Sequence, residues 1–301
     1  MEIVTFANIK GGIGKTTLSY NFGEYLAFHG YKVLFMDLDQ QSSLSRNYKG
    51  VTDDQKHSVE AIFNIYNFEK VEPKIWHVKK NIDIISGASR LDKIQSQLVT
   101  YSNKYVILYQ WLQRHYDDVV AKYDYMIIDC HPDLGIATSN AVVVSDTIFA
   151  PVKPEKYAFQ SLKDFIGRLD SLKQEVVNIQ TGESLIKAKT YYIGNGIQKV
   201  GKINQAFTHM IDSEMEYAEK KNLDDKIWIC KIPQWTIFTA TASYSMPICE
   251  MEKIAKTLKK DFAQDQQNDE AFMTKRQYFK RQSKTKFEEI NDIFEVLKKY
   301  A

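Results

Sequence analysis

Residues 8–17 read Asn-Ile-Lys-Gly-Gly-Ile-Gly-Lys-Thr-Thr. The chain has 13 glycines, and Gly11, Gly12 and Gly14 crowd into this one stretch. An apolar run at 3–7 precedes it, and Leu18, Phe22, Tyr25, Leu26 and His29 follow at helical spacing. Glycine between a strand and a helix lets successive backbone N–H groups turn toward an anion with no Cβ in the way, and the opening helix adds the positive end of its dipole. In such a loop Lys15 reaches the β- and γ-phosphates of a nucleotide, and Thr16 holds Mg²⁺ through its hydroxyl. The general phosphate-loop pattern asks for glycine where this chain has Ile9, whereas Gly-Lys-Thr-Thr after a strand fits it.

Outward from this loop, apolar runs alternate with helical patterns. Residues 31–36, 82–85, 125–128, 146–150, 190–193 and 227–232 read as strands, and 104–120, 156–173, 202–220 and 250–262 as helices. Short, continuously apolar strands separated by helices predict an α/β, doubly wound, mostly parallel sheet with helices on both faces. Ligands then belong at the carboxyl ends of the strands. Two of the runs end in acids, Asp37 and Asp129, and Asp39 stands two positions after Asp37, on the same side of an extended chain. From 272 to 300 there is no glycine or proline, which predicts a long C-terminal helix. The division expected is 1–262 as the phosphate-loop domain and 263–301 as a helical extension packed on that domain or on a dimer mate.

Composition narrows the class. The chain has 301 residues, 44% apolar and 26% charged, and a net charge of +2, which excludes a disordered or polybasic protein. Three widely spaced cysteines, Cys130, Cys230 and Cys249, form neither a disulfide framework nor a metal knuckle. No apolar run reaches the ~18 residues of a membrane span. The N-terminus reads as a strand from residue 2 rather than a signal peptide, so no N-terminal accessory domain is expected.

With Lys10 included, residues 10–17 resemble the deviant Walker A motif, KGGxGK[ST]T, of the ParA/Soj/MinD ATPases. Val-Leu-Phe-Met-Asp-Leu-Asp-Gln-Gln at 33–41, Tyr-Asp-Tyr-Met-Ile-Ile-Asp at 123–129, Asp-Thr-Ile-Phe-Ala-Pro-Val-Lys-Pro-Glu at 146–155, Ile232-Pro233 and Met246-Pro247-Ile248 resemble further segments of that family, in order. The resemblance covers about residues 1–260 and is strongest to the ParA-type partition ATPases of plasmids and other mobile elements. It implies an Mg²⁺-dependent ATPase with Lys10, Lys15 and Asp39 in catalysis. Lys10 would reach across a nucleotide-sandwiched homodimer, and Asp39 would orient the attacking water. Gly11, Gly12, Ile13, Gly14, Lys15, Thr16 and Thr17 would cradle the phosphates, with Asn195 and Pro233 near the adenine. Thr16, Asp37 and Asp129 would surround the metal. Three departures stand out: Gln40 replaces the proline of DLDPQ, Cys130-His131-Pro132 replaces TPP, and Gln234 replaces the arginine of IPRN.

Partner expectations rest on charge as well as resemblance. Arg276, Lys280 and Lys284 recur every four residues, and Lys253, Lys256 and Lys260 line one side of the preceding helical pattern. Doubled in a dimer, these stripes suit sequence-independent binding to double-stranded DNA. Recognition of a specific site would then fall to a ParB-like centromere-binding protein, and the location would be cytoplasmic and nucleoid-associated. A MinD-like membrane-positioning ATPase is the alternative. Against it, the apolar stripe of Phe287, Ile290, Phe294 and Leu297 carries Glu288, Glu289, Asp292 and Glu295 on its other faces, whereas membrane-surface helices favour basic ones. A nucleotide-gated DNA-binding scaffold with little hydrolysis is the other alternative, prompted by Gln40 and Cys130-His131.

Overall fold

The structure, a computed structural model, describes residues 1–51, 55–66, 71–257 and 284–301. Its strands are β1 (Glu2–Phe6), β2 (Val33–Leu38), β3 (Ile75–Lys79), β4 (Ile82–Ile85), β5 (Tyr125–Cys130), β6 (Thr147–Val152), β7 (Lys189–Ile197) and β8 (Ile227–Pro233). They form one sheet in the order β3-β4-β2-β5-β1-β6-β7-β8. Every pairing is parallel except β3 with β4.

The expected doubly wound α/β class is therefore the observed one. Its cause is visible in β2, where all six residues are buried. Leu34 and Met36 join the core on one face of the sheet, while Val33 and Phe35 join the core on the other. A strand covered on both sides has no polar face, which is why these runs read as continuously apolar.

On the first face lie α2 (Glu60–Phe63), α3 (Leu91–Leu98), α4 (Ile107–Arg114), α5 (Ile136–Val144), α6 (Ala158–Glu175) and α7 (Lys202–Lys221). On the second lie α1 (Lys15–Phe28), α8 (Thr236–Tyr244), α9 (Ile248–Thr257) and α10 (Lys284–Tyr300). Helix α1 turns Gly23 toward the sheet, where there is no room for a side chain. A Cβ at Gly23 would fall 2.2 Å from the ring of Phe35.

Helix α10 packs within this chain. Phe287, Ile290, Phe294 and Leu297 are buried in the second core, and the Phe294 ring lies 5.2 Å from Tyr25 and 6.4 Å from Phe22. The Tyr25 hydroxyl donates to Glu295 at 2.5 Å, and the Thr147 hydroxyl donates to the Tyr300 carbonyl at 2.8 Å.

Some boundaries differ from the sequence reading. The helix expected over 104–120 is the shorter α4, because the exposed segment after His115 turns the chain so that Val119 is buried at 2% exposure. Strands β2 and β5 run past their acids, since the ladder continues through Asp37↔Asp129 and Leu38↔Cys130. The antiparallel edge strand β3 and helices α2, α3, α5 and α8 lie outside the elements expected from the sequence. Of the helix expected over 250–262, the part beyond Thr257 lies outside the described residues, as do Lys260, Arg276 and Lys280.

Candidate nucleotide-binding site

The loop leaving β1 enters α1 at the carboxyl end of the central strand. Gly12 and Gly14 take φ of +71° and +93°, the left-handed region that glycine tolerates. No side chain caps the start of α1, so its first N–H groups are free to meet an anion. Asn195, on β7, donates from Nδ2 to the Ile13 carbonyl at 2.6 Å. A Cβ at Gly14 would fall 2.5 Å from that same nitrogen. Glycine at 14 thus serves the turn and also lets β7 brace the loop.

Lys15 is 6% exposed, and its ammonium donates to the Lys10 carbonyl at 3.1 Å. Burial lowers its pKa, with Asp129 the largest opposing influence. Beneath it, Asp129 is fully buried, and neither carboxylate oxygen makes a well-formed hydrogen bond among the described residues. Burial pushes the Asp129 pKa up, and neighbouring Asp37 adds to this, while the nearby Thr16 hydroxyl favours the charged form. A buried carboxylate without partners is costly unless a cation meets it. An orphaned carboxylate beside a threonine hydroxyl and a lysine therefore fits a Mg²⁺ site completed by phosphate and water oxygens. Among the described residues no cluster of three or more His, Cys, Asp or Glu forms a separate metal cage.

Asp37 is occupied differently. Its Oδ2 accepts from the Ser45 amide at 2.9 Å and the Ser45 hydroxyl at 2.7 Å, and its Oδ1 accepts from the Asp39 amide at 3.1 Å. It ties down the loop that carries Asp39, although burial still raises its pKa. Asp39 lines a cavity of 590 Å³ together with Lys15, Thr16, Pro132 and Lys153. A second cavity of 470 Å³ also shares Gly14, Thr17 and Lys153, and continues past Asn195 and Pro233 to Gln234 and Trp235. The loop residues Gly11 to Thr17, Asp39, Asn195 and Pro233 thus line two cavities that share Gly14, Thr17 and Lys153, whereas Asp37 and Asp129 are buried behind them and line neither, nor does Lys10.

Three features escaped the sequence reading. The Lys10 ammonium is ion-paired with Glu155. Lys153 donates to the Gly12 carbonyl at 2.7 Å. Both partners belong to the Lys-Pro-Glu tail of 146–155, so the signal was in that segment without being assigned to either residue. Finally, two of the family departures meet each other: Gln40 Nε2 lies 3.4 Å from His131 Nε2, and His131 Nδ1 lies 3.1 Å from Asp133.

The described part of the basic stripe is only partly free. Lys253 is exposed, whereas Lys256 pairs with Glu252 at 2.6 Å and Lys284 with Glu288 at 3.3 Å. Among the described residues no helix is long and apolar enough to cross a membrane.

Comparison with known proteins agrees with this geometry. Residues 1–181 match the family of AAA domains. The sporulation initiation inhibitor protein Soj of Bacillus subtilis (strain 168) is 26% identical over 250 residues, covering 82% of this chain and 90% of that protein. Among solved structures, a putative plasmid partition protein from Borrelia burgdorferi B31 bound to AMPPNP superposes with a TM-score of 0.62 at 20% identity, covering 81% of this chain and 90% of that one. A variant of Cyanothece McdA in complex with ATP gives 0.65 at 17% identity, covering 88% and 99%. With a glycine-rich phosphate loop braced by Asn195, a buried loop lysine and this match over its first 181 residues, the chain belongs to the AAA-domain family and is a nucleotide-binding ATPase of the ParA/Soj type.

Proposed function

We propose that this chain hydrolyses ATP with Mg²⁺ to partition DNA. The observation that carries the reading is Asp129, buried close to Thr16 and Lys15, whose carboxylate oxygens make no well-formed hydrogen bond among the described residues, while Lys15 donates back across the loop to the Lys10 carbonyl. Bound Mg²⁺ would neutralise charge on the β- and γ-phosphates. Thr16 and Asp129 would hold it, and Asp37 would fix the loop from which Asp39 orients the attacking water. Phosphoryl transfer asks little more of a protein than such positioning and charge neutralisation.

In this reading residues 1–262 are the ATPase domain and 263–301 an extension upon it. ATP binding lets two copies close over their nucleotides, with Lys10 reaching the partner's phosphates. The pair then holds double-stranded DNA without sequence preference, through Lys253, Lys256, Lys260, Arg276, Lys280 and Lys284. A ParB-like centromere-binding protein stimulates hydrolysis and resets the cycle, in the cytoplasm and on the nucleoid. The names of the similar proteins, a Soj and a plasmid partition protein, support this assignment. The membrane-positioning alternative loses its main device, because the apolar stripe of α10 is buried in this chain's own core. The test is ATP turnover with Mg²⁺, alone, with random duplex DNA and with a cognate centromere-binding protein. Turnover that stays at background in every mixture would leave the scaffold reading in its place.

A further inference from the structure

Three lysines approach the phosphate loop, and each is engaged differently. Lys10 is neutralised by Glu155. Lys15, from α1, donates to the carbonyl of Lys10 at 3.1 Å. Lys153, from the segment after β6, donates to the carbonyl of Gly12 at 2.7 Å. Lys15 and Lys153 therefore hold the same posture, each an ammonium resting on a carbonyl of one loop, the two acceptors two residues apart. Among the described residues neither forms an ion pair with a carboxylate.

A neutral carbonyl is a modest acceptor for an ammonium group, and a phosphate oxygen is a far stronger one because both members of the pair are charged. Lys15 is the residue that such loops use for phosphate. Lys153 makes the same kind of bond to the same loop, although Lys15 is buried near Asp129 and Lys153 is only partly buried. The fold also makes room for Lys153. Gly196, at φ +72°, lies under its stem, and a Cβ there would fall 3.3 Å from Lys153 Cε and 3.6 Å from Cγ. The ammonium rests on Gly12, which lines the part of the cleft that holds Asp39, and not on the part that holds Asn195 and Pro233.

We infer that Lys153 is a phosphate-binding residue. Its ammonium leaves the Gly12 carbonyl for the terminal phosphate of a bound nucleoside triphosphate, and so distinguishes triphosphate from diphosphate. The inference rests on the nucleotide-binding reading above and adds a residue to it. A lysine that merely propped the loop would serve both nucleotides alike, and the ratio of the two affinities separates these roles.

The experiment is calorimetric titration of the full chain with AMPPNP and with ADP, each with Mg²⁺. Lys153→Ala should weaken AMPPNP binding by about ten- to a hundredfold, the range of one charge-assisted hydrogen bond, and ADP binding by less than about threefold. Lys153→Arg, which keeps the charge, should restore most of the preference. Lys153→Gln keeps the first part of the stem and a neutral donor; should Lys153→Ala fail to fold, it should show the same asymmetry. Equal losses for both nucleotides, or no loss for either, would overturn the assignment. A parent chain that bound neither nucleotide would overturn the nucleotide-binding reading along with it.

Discussion

Lys10 and Glu155 form an ion pair that joins the phosphate loop to the segment after β6, 145 positions along the chain. The lysine proposed to act in trans is therefore held in cis before any partner arrives. Its side chain is 27% exposed and that of Glu155 49%, so solvent screens the pair and its worth is at most about 1 kcal/mol. Such a restraint is weak enough for nucleotide and partner to displace. Replacing Glu155→Gln should lower the ATP concentration needed for dimerisation by up to about fivefold, as light scattering across an ATP series would show. A higher requirement would mean that Glu155 itself makes a contact the dimer needs.

Lys15→Ala should abolish measurable ATP binding while leaving the fold intact, because the loop loses its buried cation. Calorimetry tests the first clause and circular dichroism the second. Unchanged affinity would remove the phosphate loop from the assignment.

Asp39→Ala should keep ATP binding and dimerisation but reduce turnover by a hundredfold or more, on the order of what a positioning group supplies. The variant should accumulate as an ATP-bound dimer on DNA. Monomer alone in the presence of ATP would make Asp39 a structural residue of its loop.

DNA binding should require ATP, ignore sequence and fall steeply with salt. About six to eight phosphate contacts in a dimer predict a loss on the order of a thousandfold between 50 and 200 mM salt. Replacing Arg276, Lys280 and Lys284 by glutamate should weaken all duplexes alike and leave dimerisation untouched. Binding equal to the parent's would move the DNA surface to the neighbourhood of Lys199 and Lys202, both exposed beside the cleft.

Stability should carry a pH signature at Glu24. This buried carboxylate of α1 accepts from Lys79 at 2.8 Å and from the Tyr48 hydroxyl at 3.0 Å, and Lys79 also reaches Glu250 at 2.8 Å. Burial raises the Glu24 pKa, and Lys79 is the main influence pulling it back. Lys79→Ala should cost on the order of 3 kcal/mol near neutral pH by leaving a buried charge unpaired. Burial already makes the folded chain bind a proton at Glu24 more readily than the unfolded chain, and removing Lys79 widens that difference. Stability would then fall as pH rises, and the deficit should shrink as pH is lowered from 7 toward 5. Urea melts of parent and variant at both pH values measure it; a deficit independent of pH would point to lost packing instead.

The centre of the molecule was legible in the sequence because its constraints are local. Gly11, Gly12, Gly14, Lys15 and Thr16 stand together in the chain, and the buried strands announce themselves as unbroken apolar runs. What stayed hidden depends on residues brought together by the sheet. Asn195 was readable as a neighbour of the nucleotide but not as the brace of Ile13, since only the parallel winding places β7 beside the loop. The same winding brings Lys153 to Gly12 and Glu155 to Lys10. Asp37 and Asp129 read as two similar strand-end acids, yet Ser45 holds one, while among the described residues no well-formed hydrogen bond reaches the other. The edge strand β3 is five residues long with none fully buried: Trp76 and Val78 pack against the second core while His77 is exposed, an alternation too short to stand out from the loops around it.

Gly23 sets α1 flush against Phe35, closer than any other residue type would permit. The helix that receives the phosphates is thereby an anvil, with no slack to recoil when a ligand arrives. Whatever the nucleotide moves must then lie on the facing wall, in the segments that carry Asp39 and Lys153-Pro154-Glu155. Substituting Gly23 would force the anvil off its bed and detune that response even though no atom of residue 23 comes near the ligand.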